Sequence, residues 1–346
     1  MLNLTAISLS ISSCFTNKTV PPLPSNTNAL IKDAVQKTSI PDWHLGTLET
    51  VSTEELSLHY ESIGDIKNPT ILLIMGYGTS GLAWTTNAIK PLLDASYHIV
   101  RYDNRDVGRT RWKEGKEPKR SDFYDLSDMA EDACHILDKL GKEKAHIVGI
   151  SMGGMIGQHL SIKYPERVHT LTCISSTGYY FDPALVSVSA KVIQENARLM
   201  LKYGIRPKSF IDDVKKRIGT IAFLRNDEEI NEEMVTFTTQ RLLFKKQNDY
   251  INHPKADKRH SKAIRKSGSR LEQLKDLQMP VMLIHGTKDA LIWHQHTEKY
   301  AKFIPNKKEV YIDNMGHIPT VAQEKRVSAE IAQFIENHKI RMRNSL

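Results

Sequence analysis

The sequence predicts an α/β protein: a mostly parallel sheet flanked by helices, with an inserted helical cap. Three observations carry this. Short apolar runs recur that are hydrophobic on both faces, as strands covered on each side must be. Helix-periodic segments separate them. One interval, 178–278, breaks the alternation and is polar, basic and helix-patterned. Residues 1–40 therefore read as leader and linker, 41–177 and 279–346 as the core, and 178–278 as the cap.

Each element follows from its own stretch. "LSLHYESIGD" reads as a strand with a turn. "PTILLIMGYG" is a continuous apolar strand ending in glycines, and "SYHIVRYDNRDVGRT" a strand running into a polar loop. Leu126, Met129, Ala130, Ala133, Ile136, Leu137 and Leu140 mark one helical face, stopped at Gly141. "AHIVGIS" is a strand, and "MGGMIGQHLSIKY" a helix halted by Pro165. "RVHTLTCISS", "PVMLIHGTKD" and "KEVYIDNMGH" are further strands, and "AEIAQFIENH" lies in a closing helix. Ligands of such sheets bind beyond the carboxyl ends of the strands.

That edge is where the reactive residue types fall. Gly149-Ile150-Ser151-Met152-Gly153 fits G-x-S-x-G between a strand and a helix. A nucleophile on so sharp a turn needs small neighbours two residues away on each side, which Gly149 and Gly153 supply. The turn aims the Met152 N–H at the space above Ser151, at a helix N-terminus that favours negative charge. A serine hydroxyl needs a base, and the base an orienting acid. Asp289 follows one later strand and His317 the next, in the chain order this architecture expects. A second oxyanion donor is expected from Met75-Gly76-Tyr77-Gly78, where the Tyr77 N–H is the choice and a plain glycine turn is the competing reading. Such chemistry needs neither metal nor cofactor. His294 and His296 are too weak a pair to argue for a metal.

These motifs resemble the α/β-hydrolase superfamily over residues 50–338 outside the insertion, with "GISMGG", "HGTKD", "NMGHIP" and "YDNRDVGRT" as its markers. The last is similar to a D-x-R-G-x-G-x-S loop, with Asp106 in the first glycine's place and Thr110 replacing serine. "MGYGTSGLAW" with "DNRDVGRT" looks most like bacterial ester hydrolases akin to aclacinomycin methylesterase. Many relatives carry His-Gly where this chain has Met75-Gly76. The resemblance implies an α/β-hydrolase fold and a serine esterase acting on a small-molecule ester. Asp103 and Arg105 would brace the site. Hydrolysis of C–C bonds, lactones or thioesters, perhydrolysis, and a non-catalytic ligand receptor stay open, because fold does not fix function.

The formal charge is +8, with 48 Lys and Arg against 40 Asp and Glu. The excess concentrates at Arg241–Arg270, which reads either as a solvated basic face or as a surface for anionic lipid or acidic substrates. No recognition motif for nucleic acid accompanies it. Of three cysteines, Cys134 and Cys173 fall in apolar patterns and should be buried thiols. "ISSC", ending at Cys14, resembles the lipobox of a bacterial lipoprotein, with residues 1–13 as its signal and a Pro/Asn-rich tether after it. The stretch has no Lys or Arg and a short apolar run, so a plain N-terminal tail competes. A lipid-anchored protein of the bacterial envelope and a cytoplasmic one both remain open.

Overall fold

The computed structural model describes residues 19–36, 41–119, 123–185, 189–205 and 207–344. Cys14 lies outside them. The strands are β1 (Thr47–Ser52), β2 (Leu56–Ile63), β3 (Thr70–Ile74), β4 (His98–Tyr102), β5 (Arg111–Trp112), β6 (Ala145–Ile150), β7 (Val168–Ile174), β8 (Val281–Gly286) and β9 (Lys307–Ile312). They form one sheet in the order β1-β2-β4-β3-β6-β7-β8-β9, with β5 on β2. From β4 to β9 every neighbouring pair is parallel, and only pairings of β2 are antiparallel.

Strands β3, β4, β6 and β8 are buried along their whole length. Successive side chains point to opposite faces, so each strand feeds two cores. Leu72, Ile74, Ile147 and Leu283 pack with Met129 and Ile136 of α3 (Leu126–Lys139) and Ile156 of α4 (Met152–Lys163). Ile71, Leu73, Val148, Met282 and Ile284 face the other way. They meet Ile89 and Leu92 of α2 (Thr86–Asp94) and Ile331 and Phe334 of α9 (Val321–Asn344). Helix α3 opens on a capping box, Asp125 with Asp128, and its buried face is the one its periodicity marks. Cys134 and Cys173 are free and buried, as their patterns require.

Between β7 and β8 lie four helices, α5 (Ala190–Tyr203), α6 (Phe210–Arg225), α7 (Glu232–Gln247) and α8 (Ala256–Lys266). Three of them start at a capping side chain. Ser189, Ser209 and Asn231 accept from the N–H groups of Val192, Asp212 and Met234. Two expectations need correcting. Residues 19–36 are not a free tether: α1 (Thr27–Gln36) packs on the insertion, with Ile31 fully buried beside Val214 and Ile218. Its single apolar stripe is short and flanked by polar residues, so the sequence alone does not mark it as a packed helix. Nor is Arg241–Arg270 one solvated face, because Arg259 and Arg270 are among the largest fully buried side chains. Arg259 Nη1 meets Asp106 Oδ1 at 2.6 Å, and Arg270 donates to Gln158 and to the Thr177 carbonyl. The acceptors that hold them come from distant parts of the core, the loops at Asp106 and Thr177 and the helix α4 at Gln158.

Candidate active site

Ser151 sits between β6 and α4 with φ 56° and ψ −122°, a backbone region that costs a non-glycine residue strain. The crowding explains its glycines. A Cβ at Gly149 would lie 2.2 Å from the Gly153 carbonyl oxygen, and one at Gly153 would lie 2.1 Å from that of Ile74. The turn is held by the Ser151 N–H donating to Ile174 and by the Ser176 hydroxyl donating to the Ser151 carbonyl.

The structure brings the three separated residues together. Ser151 Oγ is 2.9 Å from His317 Nε2, and His317 Nδ1 is 2.8 Å from Asp289 Oδ2. Asp289 and His317 are buried, and Ser151 is half-buried. Each follows the carboxyl end of a parallel strand, β6, β8 or β9. Burial alone would raise the Asp289 carboxyl. The charge of His317 and hydrogen bonds from His285 and His317 outweigh it, and hold the group well below the usual carboxylate range. Asp289 Oδ1 accepts the N–H groups of Leu291 and Ile292. A carboxylate so held can fix the imidazole and stabilise its protonated form.

Sequence reasoning missed His285. Its Nε2 lies 2.8 Å from the Ile292 carbonyl and 3.1 Å from Asp289 Oδ2, and its Nδ1 lies 2.7 Å from Thr297 Oγ1. A carbonyl only accepts, so Nε2 carries a proton. His285 therefore donates to the same oxygen that faces His317. Its place in "IHGTKD", four residues before Asp289, was the available signal.

Met152 follows Ser151 at the start of α4, and among the described residues neither its N–H nor that of Tyr77 has a hydrogen-bond acceptor. A Cβ at Gly76 would lie 3.2 Å from Ser151 Cβ, so the Tyr77 loop passes directly beside the hydroxyl. That loop is fastened from the insertion. Gly78 N–H donates to His260 Nδ1 (3.0 Å), and its carbonyl accepts from Asn252 Nδ2 (2.7 Å). The Tyr77 hydroxyl donates to the Asp257 carbonyl at 2.6 Å. His260 Nε2 in turn donates to the Arg105 carbonyl, and burial keeps its imidazole below the ordinary range. Neither His260 nor Asn252 stands in a recognisable motif, and no sequence signal could have found them.

The loop after β4 braces the site as the resemblance implied. Asp103 accepts from Gly81 and Arg109 N–H, Arg105 pairs with Asp132 through two nitrogens, and Asn104 Nδ2 donates to the Met75 carbonyl. Asp106 has φ 70°, the left-handed conformation that suits a glycine's place. Its carboxylate accepts from Trp112, Tyr124 and Arg259. Thr110 donates its hydroxyl to the Asp103 carbonyl.

The chain belongs to the alpha/beta hydrolase fold family, which it matches over residues 69–321. Within that family it is similar to rhodomycin D methylesterase of Streptomyces sp. strain C5. The two are 28% identical over 296 residues, covering 81% of this chain and 95% of that protein. Among solved structures, a bacterial membrane phospholipase A superposes with a TM-score of 0.65 at 19% identity, over 96% of each chain. The meta-cleavage product hydrolase of Pseudomonas fluorescens IP01 superposes with a TM-score of 0.64 at 20% identity, over 84% of this chain and 98% of that one. At these identities the two structures speak for the fold alone.

Proposed function

We propose that this hydrolase cleaves carboxylic esters of small molecules through an acyl-enzyme on Ser151. The observation that carries the reading is the unbroken chain from Ser151 Oγ through His317 to Asp289. Ser151 Oγ attacks the ester carbonyl and its proton passes to His317 Nε2. The tetrahedral oxyanion takes the Met152 and Tyr77 N–H groups as donors. The carbonyl re-forms, the C–O bond breaks, and His317 returns the proton to the leaving alcohol. Water then attacks the acyl carbonyl, giving its proton to His317, and the acid leaves with Ser151 restored. The similarity to rhodomycin D methylesterase supports an ester as substrate. No step asks for a metal or cofactor.

In this reading the segment 178–278 is a cap that shapes the substrate pocket. Two of its contacts support that role. The Leu224 carbonyl at the end of α6 accepts from Ile318 beside His317, and α8 holds the Tyr77 loop. Cys14 would carry a lipid anchor in a bacterial envelope, the N-terminal pattern being its support.

The test is a panel of esters graded in acyl length, set beside thioesters, lactones and amides. Wild type should turn over the esters. A fluorophosphonate should label Ser151 and no other serine, read by peptide mass spectrometry. Full ester turnover by a folded Ser151→Ala protein would falsify the mechanism.

A further inference from the structure

Helix α5 turns an apolar stripe outward. Ile193, Met200 and Leu201 are 62%, 41% and 89% exposed, and Ile205, just past the helix, is 76% exposed. Positions 193, 200 and 201 are seven and eight apart, so they share one side of the helix. The opposite stripe, Val192, Glu195 and Leu199, is buried. Single exposed apolar residues need no explanation, but a contiguous run of them marks an interaction site.

Among the described residues of 190–208 the exposed charges are all positive. Lys202 and Lys208 are exposed, and the Arg198 side chain is half-exposed. Glu195, the acid of α5, is turned inward and lies 3.4 Å from Arg198. Of the acids in the first turn of α6, Asp213 is paired with Arg217, while Asp212 accepts from the neutral Ser209 hydroxyl and keeps its charge. An apolar stripe with cations beside it is what a helix needs to lie in the interface of an anionic bilayer.

The course of the chain points to the same occupant. Val20, Pro21, Pro22 and Leu23 form one wall of a cavity of about 260 Å³, and Arg198, Leu199, Lys202 and Tyr203 of α5 line it too. The chain from Cys14 to Val20 can span at most about 20 Å. A lipid on Cys14 would thus hold α5 close to the membrane. One acyl chain anchors only marginally, and a basic or apolar surface supplies the second signal.

We propose that the exposed face of α5, with Ile205 and its flanking lysines, docks on an anionic lipid surface. The basic run in 241–270 offers fewer free cations than its sequence suggests, since Arg259 and Arg270 are buried and Lys255 and Lys266 pair with Glu117 and Asp125. The face is read from α5 itself and stands whether or not Cys14 is acylated, and its readout is partition rather than catalysis.

The full chain carrying Cys14→Ser, so that no acyl group contributes, is floated with two kinds of vesicle. One contains phosphatidylglycerol and phosphatidylcholine, the other phosphatidylcholine alone. The protein should bind the anionic vesicles, more weakly at high salt. The double substitution Leu201→Asp, Ile205→Asp should lower the bound fraction about tenfold. The thermal midpoint should hold, because both side chains are exposed. The proposal is overturned if the double variant floats like its parent, or if the parent does not bind. It is also overturned if sedimentation shows a dimer that the two substitutions dissociate, since a second copy would then own the face. Loss of ester turnover in wild type would sink the esterase reading and leave this result standing.

Discussion

Ser151, Asp289 and His317 stand one, three and five residues past the ends of β6, β8 and β9. The Tyr77 loop instead owes its position to Asn252, Asp257 and His260, 174 to 182 residues further along the chain. The first side of the site is set by short turns on buried strands. The second is set by a docked helix. A strand end carries its turn with it wherever the sheet forms. A docked helix holds its loop only while the whole insertion is folded against the core. The two sides should therefore fail differently when perturbed.

The largest effect belongs to the strand-borne side. Ser151→Ala and His317→Ala should each remove about 10⁴–10⁶ of kcat on p-nitrophenyl esters, and the double variant should be little worse than either. Additive losses would show that the two residues do not work as one unit. Next comes the joint between insertion and core. Arg259→Met leaves the buried Asp106 carboxylate without its cation and should cost about 3–5 kcal/mol of stability, read from the denaturant midpoint. Equal stability would show that the Arg259–Asp106 pair does not hold α8 to the core.

A smaller loss is expected on the docked side. His260→Ala frees the Gly78 N–H and loosens the loop that presents the Tyr77 N–H. Removing an oxyanion donor outright costs about 10²–10³ in kcat, so displacing one should cost about tenfold, with KM little changed. His260→Gln, which keeps a side-chain acceptor, should recover part of it. A change confined to KM would assign His260 to substrate binding instead.

The smallest effect is on pH dependence. His59 on β2 lies 3.3 Å from the Tyr250 hydroxyl of the insertion, and burial, with the Arg109 charge behind it, pushes its imidazole down to about 4. The unfolded chain takes up this proton at about pH 6.5, before the folded one does. The stability His59 contributes is therefore present above that pH and lost as pH falls toward 4. His59→Gln should flatten the fall in Tm over that window by about 2–4 °C. An unchanged slope would place the acid sensitivity in other groups.

What the sequence by itself determined follows from short-range rules. Strands apolar on both faces, a serine between crowding glycines, and an acid and a histidine after successive strands are each legible within about ten residues. Periodicity and backbone sterics act at that range. The spacing of Ser151, Asp289 and His317 needed only the assumption that parallel strands end at one edge. Tertiary structure alone decided the rest. Arg259 looked like one more surface cation in a basic run, because nothing local reveals that Asp106, 153 residues earlier, awaits it inside the fold. His260 and Asn252 carry no motif, for a hydrogen bond to a loop's backbone constrains geometry and not residue pattern. Residues 19–36 look like a tether in the sequence, and only the surface that α6 and α7 make together gives Ile31 somewhere to be buried. Charge pairing and burial between distant segments depend on which surfaces meet, and only the folded chain settles that.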